Sequence, residues 1–163
     1  MEIIMTISNA LSRCAEALGD AVSEESLILW LSQIENTVIT EIAEERCGDN
    51  PSAAEINNVL TKEGERIVSK IPKGSYVIPM CIEGTQLSSP EFSKHIENVA
   101  VKGFSEITFV IGGSFGLSEK VKALGNCKLS FGKLTLPHQL MRVVLLEQIY
   151  RAFTISAGTK YHK

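Results

Sequence analysis

The stretch FVIGGSFGL, residues 109–117, places an apolar run directly before a pair of glycines. The run from Glu106 to Ile111 predicts a buried β-strand, which Gly112 and Gly113 end. A glycine pair at the carboxyl end of a buried strand allows a ligand to approach bare backbone. Seen alone, such a pair is more often an ordinary turn. The stretch therefore predicts either a turn or a ligand site at the edge of a sheet.

A second block, SFGKLTLPHQLMRVVLLEQIYRAF, occupies residues 130–153 and predicts a loop followed by a long helix. The helix is expected from Pro137 to about Ser156, with Gly158 as its stop. Its apolar residues cover most of its circumference: Leu140, Met141, Val143, Val144, Leu145, Leu146, Ile149, Tyr150 and Phe153. A helix that is apolar on most sides is buried on most sides. One side can pack on its own sheet and the other, including Leu146, on a second copy in a homodimer; a central helix of a monomer is the alternative, and periodicity leaves both open.

Strands and helices alternate along the rest of the chain. The N-terminal half predicts a first or edge strand in MEIIMTI, a helix from Asn9 to about Trp30, a strand from Thr37 to Ile42 and a helix from the capping box Ser52–Glu55 to Lys70. The C-terminal half predicts a strand from Ser75 to Ile82 and a helix that starts at Ser89 with Pro90 and ends at Gly103. It also predicts a short strand from Lys128 to Phe131. This alternation favours an α/β fold: a mostly parallel sheet flanked by helices, in a single domain over residues 1–163.

Composition is typical of a globular protein, with 44% apolar and 21% charged residues in 163. No apolar run approaches the roughly 20 residues needed to span a bilayer. The first residues lack the pattern of a secretory signal, so a cytoplasmic location is expected. The four cysteines are far apart and form no CxxC pair; they are expected to be reduced thiols, and no metal site is predicted.

Charge is divided unevenly between the two parts of the chain. Residues 1–60 carry two basic and eleven acidic side chains, whereas residues 61–163 carry fourteen basic and eight acidic ones. The two parts therefore have net charges of −9 and +6, within a total of −3. This asymmetry indicates that any polyanion would meet the C-terminal part, although two differently solvated faces explain it equally well.

Together with the terminal YHK, residues 161–163, these blocks resemble the RlmH family of SPOUT-class methyltransferases. The resemblance implies methyl transfer from S-adenosylmethionine to N3 of a pseudouridine in 23S ribosomal RNA. It is good over residues 62–163 and weak before residue 40. There the acidic stretch ISNALSRCAEALGDAVSEES, residues 7–26, stands where the family has a glycine-lysine loop and a basic helix.

The resemblance also implies a cofactor site, a homodimer and a C-terminal trefoil knot. The implied cofactor-binding positions are Met80, Gly112, Phe131, Gly132, Lys133, Leu134, Thr135 and Leu136. The cofactor has no phosphate, so neither a P-loop nor a dinucleotide fingerprint is needed, and neither is present. A branched side chain at Gly112 is then expected to block the cofactor while the domain still folds.

The family tail implies that Tyr161, His162 and Lys163 complete the active site and act on the RNA. Because the target nitrogen must lose a proton, a histidine is a suitable base, and His138 is a second candidate by residue type. Arg142 and Arg151 lie within the apolar helix and are costly to bury unpaired; the residue types leave RNA phosphate, the cofactor carboxylate or an acid such as Glu147 as partners. RNA binding is the role predicted for both arginines.

The sequence is also compatible with two other functions. One is a SPOUT methyltransferase with a different RNA target, because the N-terminal stretch diverges. The other is a non-catalytic RNA-binding or ribosome-assembly protein of the same fold. The joint presence of the glycine pair, the FGKLTLPH stretch and the YHK tail favours the enzyme.

Overall fold

The computed structural model describes residues 2–8 and 37–158 of this chain. Its elements are β1 (Glu2–Ser8), β2 (Thr37–Ile42), α1 (Ala53–Lys70), β3 (Tyr76–Gln86), α2 (Ser89–Val101), β4 (Glu106–Ile111), α3 (Glu119–Ala123), β5 (Leu129–Ser130) and α4 (His138–Ser156). The predicted helix between Asn9 and Trp30 and the tail of residues 161–163 lie outside the described residues. The short helix α3 was not predicted.

The five strands form one sheet in the order β2-β1-β4-β3-β5. Strand β3 is parallel to both β4 and β5, whereas β1 is antiparallel to both β2 and β4. The α/β class and a parallel sheet flanked by helices are confirmed. The antiparallel pairs are a difference from the mostly parallel sheet predicted, and they place β1 inside the sheet with β2 at its edge.

The described helices α1 and α2 each begin at a capping box. At α1 the amide of Glu55 donates to Ser52 Oγ over 3.3 Å, and the Ser52 amide donates to Glu55 Oε2 over 2.8 Å. At α2 the same exchange joins Ser88 and Glu91, so the cap lies one residue before the predicted Ser89. Each cap stabilises its helix by about 1 kcal/mol.

Two apolar clusters cover the two faces of the sheet. The larger one joins alternate residues of β3 and β4, such as Ile78 and Phe109, to α2 and α4. The smaller one uses the opposite faces of the same strands, including Val77 and Val110, and joins them to α1 and α3. Because successive side chains of a strand point to opposite faces, β3 and β4 are buried on both sides.

Helix α4 packs within the chain's own core. Leu145, Leu146 and Ile149 have no exposed surface. On α2, Ser93 Oγ donates to the Ala152 carbonyl over 2.6 Å, which binds the two helices together. The expectation that Leu146 faces outward is therefore wrong: a charge there would disrupt folding and would not report on a dimer.

Candidate functional site

A cleft of about 510 Å³ opens where the parallel pairing of β3 with β4 ends, after Pro79 and Val110. Its lining comes from residues 80–82, 111–116, 129–132 and 134–138, and from Met141 at the start of α4. The volume is ordinary for a small-molecule site, and the carboxyl edge of parallel strands is where such sites form. The sheet edge at which the glycine pair predicts a turn or a ligand site therefore carries a cleft large enough for a small molecule.

One side of the cleft, here called the turn wall, consists of residues 112–116. The Gly116 amide donates to the Gly113 carbonyl over 3.0 Å, and Gly116 has a φ of 81°, which favours glycine. A Cβ built on Gly112 would lie 2.7 Å from the Gly116 carbonyl carbon. The expectation that a branched residue at Gly112 leaves the fold intact is therefore wrong, because that side chain would displace the turn itself.

The turn wall is anchored from behind by α3, which packs on α1. Ser118 caps α3, and a Cβ built on Gly64 of α1 would lie 2.4 Å from Ser118 Oγ. Leu117 and Val121 are buried in the smaller cluster. Close contact between α1 and α3 therefore fixes the chain directly after the turn wall.

The opposite side, here called the loop wall, consists of residues 131–136. Its start is fixed by Ser130, whose hydroxyl accepts from the Gly132 amide over 3.1 Å and donates to the Ile82 carbonyl over 3.0 Å. Ser130 is only 4% exposed, whereas Leu134 further along the loop is 83% exposed. One buried hydroxyl thus ties the loop wall to β3 at one end.

A register shift in β3 brings a third segment to the cleft. Both Met80 and Thr85 lie opposite Leu129 of β5, so β3 bulges between them. The bulge lies beside Cys81 and Ile82, which line the cleft together with Met80. Burial, reinforced by Glu83, raises the pKa of the Cys81 thiol, so the thiol is neutral at physiological pH.

Seven of the eight predicted cofactor-binding positions line this one cleft: Met80, Gly112, Phe131, Gly132, Leu134, Thr135 and Leu136. Lys133 is exposed and is not among the lining residues. His138 also lines the cleft. Ser130 and Phe115 also line the cleft but were not predicted as site residues. Ser130 could have been found from the sequence, because a serine two residues before a glycine is a turn signal.

The cleft has few ionisable side chains among the residues that the structure describes. Its lining contains no aspartate, glutamate, lysine or arginine. A neutral, largely apolar cleft with bare glycine backbone suits a flat heterocycle and a thioether-like chain better than a polyphosphate. In the same described part of the chain, no cluster of acidic, histidine and cysteine side chains could hold a metal ion.

A family model described as "Predicted SPOUT methyltransferase" matches residues 14–162. The chain belongs to the SPOUT methyltransferase family. The match includes part of the acidic N-terminal stretch in which the motif resemblance is weak.

Curated relatives of this SPOUT protein cover most of its length. The "Ribosomal RNA large subunit methyltransferase H" of Streptococcus gordonii is 56% identical over 133 residues, which is 82% of this chain and 84% of the relative. The protein of the same name from Leuconostoc mesenteroides is 53% identical over the same shares. That of Streptococcus pneumoniae is 49% identical over 146 residues, 90% of this chain and 91% of the relative.

Arg142 and Arg151, the two arginines of α4, have acidic neighbours. Arg142 Nη1 lies 3.2 Å from Glu41 Oε1, and its buried Nε has no hydrogen-bond partner among the described residues. Arg151 Nε donates to Glu147 Oε1 over 2.9 Å, which is one of the three partners that the sequence left open. Neither arginine lines the cleft, and their role in RNA binding stays a prediction.

No helix among the described residues is long and apolar enough to cross a membrane. The free cysteines of that part of the chain are Cys47, Cys81 and Cys127.

Proposed function

We propose that this protein transfers a methyl group from S-adenosylmethionine to large-subunit ribosomal RNA. The observation that carries the proposal is the convergence of Met80, Gly112 and the loop wall on one cleft of a SPOUT fold. The names of the three relatives supply the substrate class. N3 of a pseudouridine in 23S RNA is the acceptor that the family resemblance implies.

The residues of the cleft fit this cofactor. Met80, Leu129 and the loop wall offer apolar surface to an adenine, and glycines 112 and 132 leave backbone groups accessible at its edges. The neutral lining matches a cofactor that has no phosphate. When bound, S-adenosylmethionine supplies an electrophilic methyl group on a sulfonium.

Methyl transfer of this kind is a direct displacement, so positioning is the main contribution of the protein. Donor and acceptor held in line at attack distance remove about 7 kcal/mol or more of the barrier. The turn wall and the loop wall hold the donor from opposite sides.

The acceptor nitrogen must lose its proton, and the tail is proposed to provide for this. His162 would take the proton, Tyr161 would contact the target base and Lys163 would pair with a phosphate. Arg142 and Arg151 are proposed to add contacts to the RNA backbone. The tail residues lie outside the described part of the chain, so their roles rest on the family resemblance.

A homodimer through α4 and a C-terminal trefoil knot complete the proposal. In a dimer, the tail of one chain would complete the cleft of the other. Light scattering at micromolar concentration is expected to give the mass of two chains. A mass of one chain would contradict the dimer without affecting the proposed cofactor site.

Labelled methyl transfer to ribosomes and to free 23S RNA tests the activity, with mass spectrometry of nuclease digests to identify the product nucleoside. Truncation after Lys160 is expected to lower the rate at least tenfold, or about 1.4 kcal/mol of transition-state stabilisation. Thermal stability and cofactor affinity should stay unchanged. Full activity of the truncated protein would contradict the role of the tail, and no transfer by the intact protein would contradict the function.

A further inference from the structure

Phe115 differs from the other phenylalanines of this chain. The chain has six, and five are buried in the larger apolar cluster or packed against it: Phe92, Phe104, Phe109, Phe131 and Phe153. Phe115 belongs to neither cluster, is 38% exposed and makes no ring contact with a described aromatic residue. Its side chain therefore contributes little to the core.

The backbone that carries Phe115 is held firmly. Phe115 lies between the two glycines whose hydrogen bond closes the turn wall, Gly113 and Gly116. The preceding Ser114 donates from its hydroxyl to Glu44 Oε1 over 3.2 Å. The turn therefore fixes the backbone from which the Phe115 ring projects, which suits a group that orients a ligand.

Phe115 also lines the cleft proposed to hold the methyl donor. It does so from the turn wall, whereas the apolar surface proposed for adenine comes from Met80, Leu129 and the loop wall. An exposed aromatic ring beside a donor site offers a face on which a flat acceptor can stack. Enzymes that act on single-stranded RNA commonly hold an unstacked base on such a ring.

We propose that Phe115 is a positioning residue on which the target nucleobase stacks while it faces the methyl donor. This inference rests on the proposed function, because it takes RNA as the acceptor. Stacking on this ring would hold the base plane, and with it the attacking nitrogen, in line with the transferred methyl group. An aromatic side chain, and not merely an apolar one, is therefore required at this position.

The test compares Phe115→Ala, Phe115→Leu and Phe115→Tyr with the intact protein. We expect the Ala and Leu variants to lose about tenfold in kcat/KM for ribosomes, and the Tyr variant to stay within about twofold. Affinity for S-adenosylhomocysteine, melting temperature and molecular mass should not change in any of them. Leu124→Ala is the matched control and should keep full activity, because it truncates an exposed apolar residue that does not line the cleft.

Several results would overturn the inference: full activity of the Ala or Leu variant, a loss that follows cofactor affinity, or a change of mass. If the intact protein transfers no methyl group, the proposed function fails on its own. Phe115 is then judged by cosedimentation with ribosomes in the presence of S-adenosylhomocysteine. Binding about tenfold weaker in the Ala and Leu variants would support stacking, whereas equal binding, or none by the intact protein, would refute it.

Discussion

The two walls of the cleft are built in different ways. The turn wall is closed by a backbone hydrogen bond between Gly116 and Gly113, and it is backed by a helix that packs on α1. The loop wall is tied at its start by the Ser130 hydroxyl, and its residues 133–135 are exposed. The backbone hydrogen bond restrains the shape of the turn wall, whereas the exposed middle of the loop wall has fewer restraints. The difference indicates that the turn wall defines the site and that the loop wall adjusts to the ligand.

The largest effect on stability and activity is expected from adding a side chain at Gly112, where it would collide with the backbone of the turn wall. Gly112→Ala places a Cβ 2.7 Å from Gly116 backbone, so the turn must shift. Stability should fall by about 2 kcal/mol through overpacking. Methyl transfer should fall by about a hundredfold, because a displacement near 1 Å is enough for such a loss. Urea unfolding and initial rates measure the two effects.

Gly48→Ala is the matched control for that variant, because a Cβ at Gly48 has no atom within 4 Å. It should leave both stability and rate unchanged. If Gly112→Ala behaves like Gly48→Ala, the turn wall is adaptable and the contrast between the walls does not hold.

A smaller effect is expected from releasing the loop wall. Ser130→Ala removes the acceptor of the Gly132 amide and the donor to Ile82. Affinity for S-adenosylhomocysteine, measured by calorimetry, should weaken about tenfold, which corresponds to the loss of one buried hydrogen bond. Ser69→Ala is the control, because Ser69 Oγ donates to the Arg66 carbonyl on the exposed side of α1. Equal affinities for the two variants would show that Ser130 does not hold the loop.

The exposed part of the loop wall should matter less still. Leu134 is 83% exposed, and in the proposed complex it closes over the cofactor. Leu134→Ala should weaken cofactor binding by about threefold, as expected for the loss of a partly buried aliphatic contact. The melting temperature should not move, because the side chain contributes nothing to the core. A drop in melting temperature would show that the loop packs more tightly than described.

Local signals explain which parts of the fold could be predicted from the sequence. The capping box at Ser52 and the stops at Gly103 and Gly158 depend on neighbouring residues, so the ends of α1, α2 and α4 were predicted to within two residues. Strand direction depends on the path of the whole chain, so the antiparallel pairing of β1 was not predictable from periodicity. The helix α3 is a single turn of five residues, too short to produce a periodic pattern.

The candidate site likewise combines features that local sequence patterns predict with features that depend on tertiary structure. The glycine pair marked the turn wall, but its close contact between Gly112 and Gly116 depends on tertiary geometry. The loop wall was implied by family resemblance and not by periodicity. Leu146 was assigned to the wrong side because a helix that is apolar all round does not reveal which side faces its own sheet. Ser130 acts through a carbonyl 48 residues away, a contact that no local pattern predicts.

The smallest expected effect is on the pH dependence of stability, and it comes from His95 in α2, outside the two walls. His95 of α2 lies edge-on to Tyr76, with ring centroids 5.7 Å apart. Burial, and then Lys102, lowers the pKa of His95 below its ordinary 6.5. The unfolded chain therefore binds a proton at higher pH than the folded one, so stability falls as pH drops through 6.5.

His95→Gln should make that decline shallower between pH 7.5 and 5.5, as measured by urea unfolding at each pH. The cofactor affinity of the variant should match that of the intact protein at pH 7.5. An unchanged slope would show that His95 is not the group responsible.

Hydrogen exchange with and without S-adenosylhomocysteine tests the central claim, that the methyl donor binds between the two walls, most directly. The amides of residues 131–136 are expected to gain strong protection on binding, because the loop wall closes over the ligand. The Gly116 amide of the turn wall, which already donates to the Gly113 carbonyl, should be slower to exchange without ligand and gain less. Protection that maps elsewhere, or that leaves both walls unchanged at saturating ligand, would contradict the proposed site.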